Sequence, residues 1–216
     1  MGTGSRNIVV VGSSTGGTRI LERVFAQMPR LNAAVVVVHQ MVKQMNPILQ
    51  QRLQAKAKMD IVIASDKLSL EHGKVYIAPS DIHLKIVNNS TIQLVEGERV
   101  NRIRPSADVT MASLMPGSGS KIIGVVLTGA GEDGVAGITH VKVIGGLTIA
   151  QDEKSSPVAT MPRAAVRTGK VDLVLDPEEI REKLIEVCGC LLGERSNGEG
   201  SAAGDATVVR SSHVSV

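Results

Sequence analysis

The 216-residue chain is almost without aromatic side chains: it has Phe25, Tyr76 and no Trp. That scarcity excludes a core built on stacked rings, so Val, Ile, Leu, Ala and Met must fill it. Such a composition suits a parallel sheet buried on both faces. Basic clusters interleaved with aromatics are also missing, and the net charge of +3 is mild. A nucleic-acid surface therefore has little to build on. Cysteine is scarce too. Cys188 and Cys190 stand two apart near the end of an expected helix, where a mutual disulfide is geometrically poor, so both are read as reduced. No apolar run approaches the roughly 20 residues of a membrane span. The N-terminal "MGTGSRN" lacks the apolar centre of a signal peptide. The expectation is a cytoplasmic protein without membrane insertion. No Walker sequence and no metal-ligand spacing of His, Cys, Asp or Glu is present, which leaves no motif for nucleotide or metal chemistry.

What is present alternates. "NIVVVG" (7–12) precedes a helical pattern over 17–27, and "AAVVVVH" (33–39) precedes another over 47–57, which is the signature of βαβ units and a parallel sheet. After "DIVIAS" (60–65), residues 74–98 read as short alternating strands with an Asn-Asn-Ser turn at 88–90, a hairpin signal. Alternation resumes with "KIIGVVLTG" (121–129), a helix near 133–144, "LTIAQ" (147–151), a helix starting after Pro162, "VDLVL" (171–175) and a helix from Pro177 to about Leu192. The fold class is α/β: a doubly wound, mostly parallel sheet flanked by helices, with an antiparallel hairpin insertion. Residues 1–6 read as a leader, 7–193 as one catalytic-type domain, and 194–216, rich in Ser, Gly and Ala without periodicity, as a disordered tail.

Ligands of open α/β sheets sit outside the carboxyl ends of the strands. Three stretches occupy that edge. Gly12-Ser13-Ser14-Thr15-Gly16 matches G-x-S-x-G, a tight strand-to-helix turn that exposes its central serine. The glycine spacing selects Ser14 over Ser13 as the nucleophile, while a plain glycine-rich turn with capping serines is the simpler alternative. A serine nucleophile needs a base and a carboxylate to orient that base. Of the five histidines, His39 ends the second strand at the right edge; His72 and His83 lie in the irregular middle, His140 in a helix and His213 in the tail. Glu132 and Asp133, after "GVVLT", are the carboxylate candidates, unless they only complement the following helix N-terminus. The same loop, Gly129 to Gly134, forms a G-x-G-x-x-G with Asp152 about twenty residues on, the rival signal for a dinucleotide. Its late place in the chain and its two acids count against that reading.

Five stretches in order, "VGSSTGGT", "VYIAPSDIHL", "NRIRPSADV", "GVVLTGAGEDGVAG" and "IAQDEKSSPVATMPRAA", resemble the catalytic domain of the chemotaxis protein-glutamate methylesterases, the CheB family, over about residues 7 to 190. The resemblance implies hydrolysis of γ-glutamyl methyl esters on chemoreceptors to glutamate and methanol, with deamidation of receptor glutamines in many members. It implies no cofactor and a Ser, His, Asp triad. Ser14 and Asp133 fall on the family's nucleophile and acid, and Thr15 would offer an oxyanion N–H. Near the site it places "NRIRPSADV", where Arg102, Arg104 or Ser106 would contact an acidic receptor segment unless Ser106 merely caps a helix. Met161 would line the cleft or fill the core.

Three departures stand out. The family reads Gln-His-apolar-Pro at the second strand end, whereas this chain reads His39-Gln40-Met41-Val42, so Gln40 falls at the base position. Ala130 stands where many members have Met. A phosphorylatable receiver domain usually precedes the catalytic strand in the family, and the expectation here is control by such a domain in trans. The leading expectation is a serine methylesterase using Ser14, His39 and Asp133 on receptor cytoplasmic helices. A catalytically weak homologue that docks on receptors or other signalling proteins is the alternative.

Overall fold

A computed structural model describes residues 7–117 and 119–191. The apolar run Ile8–Ser13 forms β1 at the interior of a parallel sheet, with β2 (Ala34–His39) beside it; α1 (Gly17–Phe25) crosses between them. A short 3-10 turn over Lys43–Met45 leads into α2 (Asn46–Gln54), followed by β3 (Asp60–Ile63) and β4 (Lys74–Ile77). The expected hairpin is β5 (His83–Val87) with β6 (Thr91–Val95), a separate antiparallel pair. Its turn uses Asn88 and Asn89 at φ 50° and 49°, a left-handed backbone that Asn tolerates better than most residues. Then come α3 (Ala107–Ala112), β7 (Ile122–Val126), α4 (Val135–Val143), β8 (Leu147–Gln151), α5 (Thr160–Arg167), β9 (Leu173–Leu175) and α6 (Pro177–Cys188).

The main sheet has seven strands in the order β3-β4-β2-β1-β7-β8-β9, every pair parallel. The chain winds from β1 towards β2 on one side and from β7 towards β8 on the other. The crevice between β1 and β7 is thus the switch point where such sheets bind ligands.

Strand alternation sorts the core into two layers. Val9, Val11, Val35 and Val37 pack with Ile20, Val24 and Phe25 of α1, Leu49 and Leu53 of α2, and Ile180 and Leu184 of α6. Ile8, Val10, Val36 and Val38 pack instead with Leu84 and Ile92 of the hairpin, Met111 of α3, Ile138 of α4, and Met161 and Ala165 of α5.

Several helix boundaries differ from the sequence expectation by a few residues, and two of them have a plain cause. The helix placed after Pro162 begins at Thr160, because a first-turn amide has no carbonyl to bond and Pro is tolerated there. The final helix stops at Cys188, where Gly189 turns at φ 72°. Cys188 is buried and Cys190 exposed, both free thiols. Leu192, the leader 1–6 and the tail 194–216 lie outside the described residues.

Candidate active site

The layers of the core decide which strand-end side chains meet. Ser13 pairs in register with His39 across β1 and β2. Both continue the odd-numbered row that faces α1. Successive strand residues point to opposite faces, and Gln40, one position on, reaches Asp133 on the side of α3 and α4. The register is not slipped: Gly12 pairs with Val38 and Ser13 with His39.

On the α1 side, His39 Nδ1 lies 2.9 Å from Ser13 Oγ and its Nε2 lies 3.2 Å from Thr18 Oγ1. The neutral ring, one donor and one acceptor, thus bridges two hydroxyls, one before and one after the serine turn. Burial pushes the imidazole pKa down to about 4, against a hydrogen bond with Ser13 that raises it. Gly17 is part of this arrangement. A Cβ there would stand 2.9 Å from His39 Cε1 and 2.9 Å from Ser13 Cβ.

On the other side, Asp133 is 2% exposed and accepts four hydrogen bonds. Gln40 Nε2 (2.9 Å) and the Ala107 N–H (2.8 Å) donate to Oδ2; the Ser106 hydroxyl (2.7 Å) and the Asp108 N–H (3.1 Å) donate to Oδ1. Each carboxylate oxygen thus receives two donors, so the buried group is fully hydrogen-bonded. The structure therefore couples Asp133 to Gln40. The expected Ser14-His39-Asp133 arrangement differs from this geometry: period-two alternation carries the imidazole to the α1 side, and Gln40 takes the place beside the acid.

Ser14 sits at the elbow itself, 7% exposed. Its N–H donates to the Thr128 carbonyl at 3.0 Å and its carbonyl accepts from the Gly17 N–H at 2.8 Å. Gly16, at φ 81°, completes the turn. Gly129 lets the β7 loop close over Ser14: a Cβ at 129 would fall 2.8 Å from Ser14 Cβ and 2.1 Å from Met161 Sδ.

The remaining expected residues separate clearly. Thr15 is exposed at the head of α1, with its carbonyl accepting from the Thr128 hydroxyl at 3.3 Å. Met161 is fully buried against Gly129 and packs in the core layer under α5. Arg102 is exposed, at φ 68°. It is not among the side chains that line the cleft beside Gln40, whereas Arg99 and Arg104 are. Ser106 caps α3, accepting from Val109 N–H, and also donates to Asp133. Glu132 is exposed. With Asp133 already engaged at its buried end, the G-x-G-x-x-G loop holds an acid where a pyrophosphate would have to lie. Among the described residues no group of three or more His, Cys, Asp or Glu side chains is placed to hold a metal ion.

Sequence reasoning passed over Asp108, Thr18 and Thr128. Asp108 accepts from the Gly137 N–H at 2.7 Å, so the acid of α3 serves the start of α4 while Asp133, just before α4, serves the start of α3. Burial raises the Asp108 pKa, with the Gly137 N–H opposing and the Asp133 charge adding to the rise. Its spacing two residues after a capping serine was the available signal. Thr128 joins three segments: its hydroxyl donates towards the carbonyls of Val158 and Thr15 and accepts from the Val158 N–H.

Comparison with known proteins places this geometry. A family model described as CheB methylesterase matches residues 9–184. The protein-glutamate methylesterase/protein-glutamine glutaminase of Pyrococcus horikoshii is 35% identical over 193 residues, 88% of this chain and 52% of its own length. Its counterpart in Archaeoglobus fulgidus is 37% identical over 191 residues, 87% of this chain and 55% of its own length. The crystal structure of the Thermotoga maritima CheB methylesterase catalytic domain superposes with a TM-score of 0.79 at 37% identity, covering 85% of this chain and 99% of that one. The chain thus spans about half the length of the curated relatives it matches.

Proposed function

The chain belongs to the CheB methylesterase family, and from that premise we propose that it acts on γ-glutamyl methyl esters of chemoreceptor cytoplasmic helices, with Ser14 as nucleophile and a rate limited by Gln40. Ser14 Oγ bonds to the ester carbonyl carbon while the Thr15 N–H stabilises the oxygen as it becomes negative. The serine proton must then reach the methoxy oxygen so that methanol can leave. Water adds to the acyl carbon, Ser14 recovers its proton and the glutamate is released. Receptor glutamines would be deamidated by the same serine, with ammonia as the leaving group. No cofactor enters these steps.

The observation that carries the reading is the Gln40 Nε2 to Asp133 Oδ2 bond at 2.9 Å. A carboxamide in that place can orient water or accept through its Oε1, but unlike imidazole it cannot hold the serine proton at neutral pH. General-base assistance contributes about 10²- to 10⁴-fold, so wild-type turnover is expected to fall short of an imidazole-bearing site by that order. The same bond favours a second reading, in which the domain holds receptor glutamyl side chains without turning them over and signals by occupancy. The reading includes a cytoplasmic location, and regulation by a receiver domain supplied in trans. No described helix is long and apolar enough to cross a membrane.

Methanol release from methylated receptor tests both. Slow release by wild type, none by Ser14→Ala and a large rise in Gln40→His support the esterase. No release by wild type together with release by Gln40→His supports the binding module. Release that survives Ser14→Ala removes Ser14 from the role.

A further inference from the structure

Acyl transfer at Ser14 has two proton steps, one from the serine hydroxyl as it attacks and one to the leaving group as it departs. The side chains around the elbow bear on the two steps differently. Gln40 Nε2 donates to Asp133 Oδ2 at 2.9 Å, and a carboxamide offers hydrogen bonds but neither takes up nor gives up a proton at neutral pH. Asp133 accepts from Gln40, Ser106 and the Ala107 and Asp108 N–H groups, and gives no proton in any of these contacts.

The four described histidines are all engaged elsewhere. His39 bridges Ser13 and Thr18 on the α1 side, His72 bonds Asn32, His83 bonds the Glu98 carbonyl and His140 the Leu114 carbonyl. Among the described residues, then, no imidazole is bonded to the Ser14 hydroxyl to pass its proton on to a leaving group.

A methyl ester tolerates that lack and a carboxamide does not. As Ser14 Oγ bonds to the carbonyl carbon, the carbonyl π pair moves onto oxygen and the serine proton passes to water. From the ester, the C=O re-forms while the C–O bond to the methoxy group breaks; methoxide leaves with the bonding pair and takes a proton from water, giving methanol. Its competitor for expulsion is the Ser14 alkoxide, of similar basicity, so the intermediate collapses in both directions. From glutamine, the C–N bond breaks only after the nitrogen has been protonated, because the bare amide anion is far too basic to leave. With no acid in contact with that nitrogen, the intermediate expels Ser14 Oγ and returns to glutamine.

We propose that Gln40 is a specificity-determining residue: it makes the site selective for the glutamyl ester over glutamine, because its carboxamide delivers a proton to neither leaving group and only the ester can do without one. The proposal rests on the esterase reading of Ser14 and divides the two reactions of that reading. Ester hydrolysis loses the base, and deamidation loses the base and the acid.

Single-turnover release, with the full chain in excess, reads the acylation step alone. The substrate is a semisynthetic receptor domain in which one glutamyl side chain is a methyl ester, a trifluoroethyl ester or a carboxamide at the same position. General acid catalysis contributes about 10²- to 10⁴-fold, so the ratio of methanol to ammonia release is expected to be at least about 10²-fold higher in wild type than in Gln40→His. A substitution that merely repacks the site moves both rates together and leaves that ratio alone. The second ester needs no variant to fold. Without an acid, wild-type release is expected to be at least about tenfold faster for the trifluoroethyl ester, whose alcohol is the more acidic, than for the methyl ester. Equal methanol-to-ammonia ratios in wild type and Gln40→His, or equal wild-type rates for the two esters, overturn the proposal while the released methanol keeps the esterase reading. Release of neither alcohol by wild type overturns the esterase reading and the proposal with it, so the two failures are told apart by whether wild type releases any alcohol.

Discussion

The two sides of β1 and β2 at their carboxyl ends hold nearly the same chemistry in opposite combination. Facing α1, Ser13 and Thr18 share an imidazole with no acid beside it among the described residues; facing α3, Asp133 holds four donors, among them the Ser106 hydroxyl and the Gln40 amide. A strand makes this separation absolute, because exchanging two adjacent residues moves each to the other face without any change in register. Composition is therefore a poor guide to chemistry at a strand end. A serine, a histidine and an aspartate within a few residues of one another in the fold are still two sites.

The largest expected effect comes from reversing the exchange. The double variant His39→Gln with Gln40→His keeps composition constant and moves the imidazole from the Ser13 side to Asp133. Methanol release is expected to rise by about 10²- to 10⁴-fold over wild type, and the acid-dependent behaviour described next should vanish. A double variant no faster than wild type would mean that the amide at position 40 is not what limits the rate.

The second way to sharpen the contrast uses pH and the α1 side alone. His39 titrates near 4 in the folded protein because of its burial, against about 6.5 in an unfolded chain. Above about 6.5 both states hold a neutral ring and the group contributes no pH dependence. As pH falls below 6.5 the unfolded state takes up a proton that the folded state refuses, so stability declines until the folded pKa is reached. A difference of about 2.5 pK values corresponds to about 3 kcal/mol. Asp108, whose pKa is raised by burial, works in the opposite sense over the acid range. Urea unfolding of wild type and His39→Gln at a series of pH values between 7 and 4 isolates the histidine. The variant is expected to lose the decline attributable to position 39, and parallel curves for the two proteins would remove the buried neutral ring from the account.

Much of this was legible in sequence because parallel strands announce themselves. "NIVVVG", "AAVVVVH" and "GVVLT" are short apolar runs separated by helical patterns, and they became β1, β2 and β7 at the middle of the sheet. The hairpin was legible from Asn88 and Asn89, whose side chains accept the left-handed turn. That Gln40 falls at the family's base position came from the resemblance, since the residues alone pointed to His39. What could not be read was the partnering of the displaced histidine. Thr18 lies in α1 and meets His39 only through the crossover, and no local pattern marks a threonine for that role. The partners of Asp108 and Asp133 escaped for the same reason, since each acid satisfies a helix start that lies about 25 to 29 residues away. Of the two arginines named from the sequence, Arg102 is exposed and Arg104 lines the cleft, a distinction that two residues of sequence spacing does not carry.

The smallest of these effects tests how tightly the α1-side cluster is built. Ala is the better helix former, so by propensity alone Gly17→Ala at the first position of α1 should stabilise the protein. Geometry says otherwise, because the new Cβ would meet His39 Cε1 and Ser13 Cβ at 2.9 Å each. Both neighbours are buried and hydrogen-bonded to each other, which leaves little room to give. The change is expected to destabilise by about 1–2 kcal/mol, a fall in melting temperature of roughly 3–6 °C for a domain of this size. In a His39→Ala background the ring is gone and the same substitution should be neutral or favourable, so a double-mutant cycle reads the clash directly. An additive cycle, with the loss at Gly17 unchanged when the ring is removed, would place the strain at Ser13 or in the turn, and the imidazole would then be a bystander on its own side of the sheet.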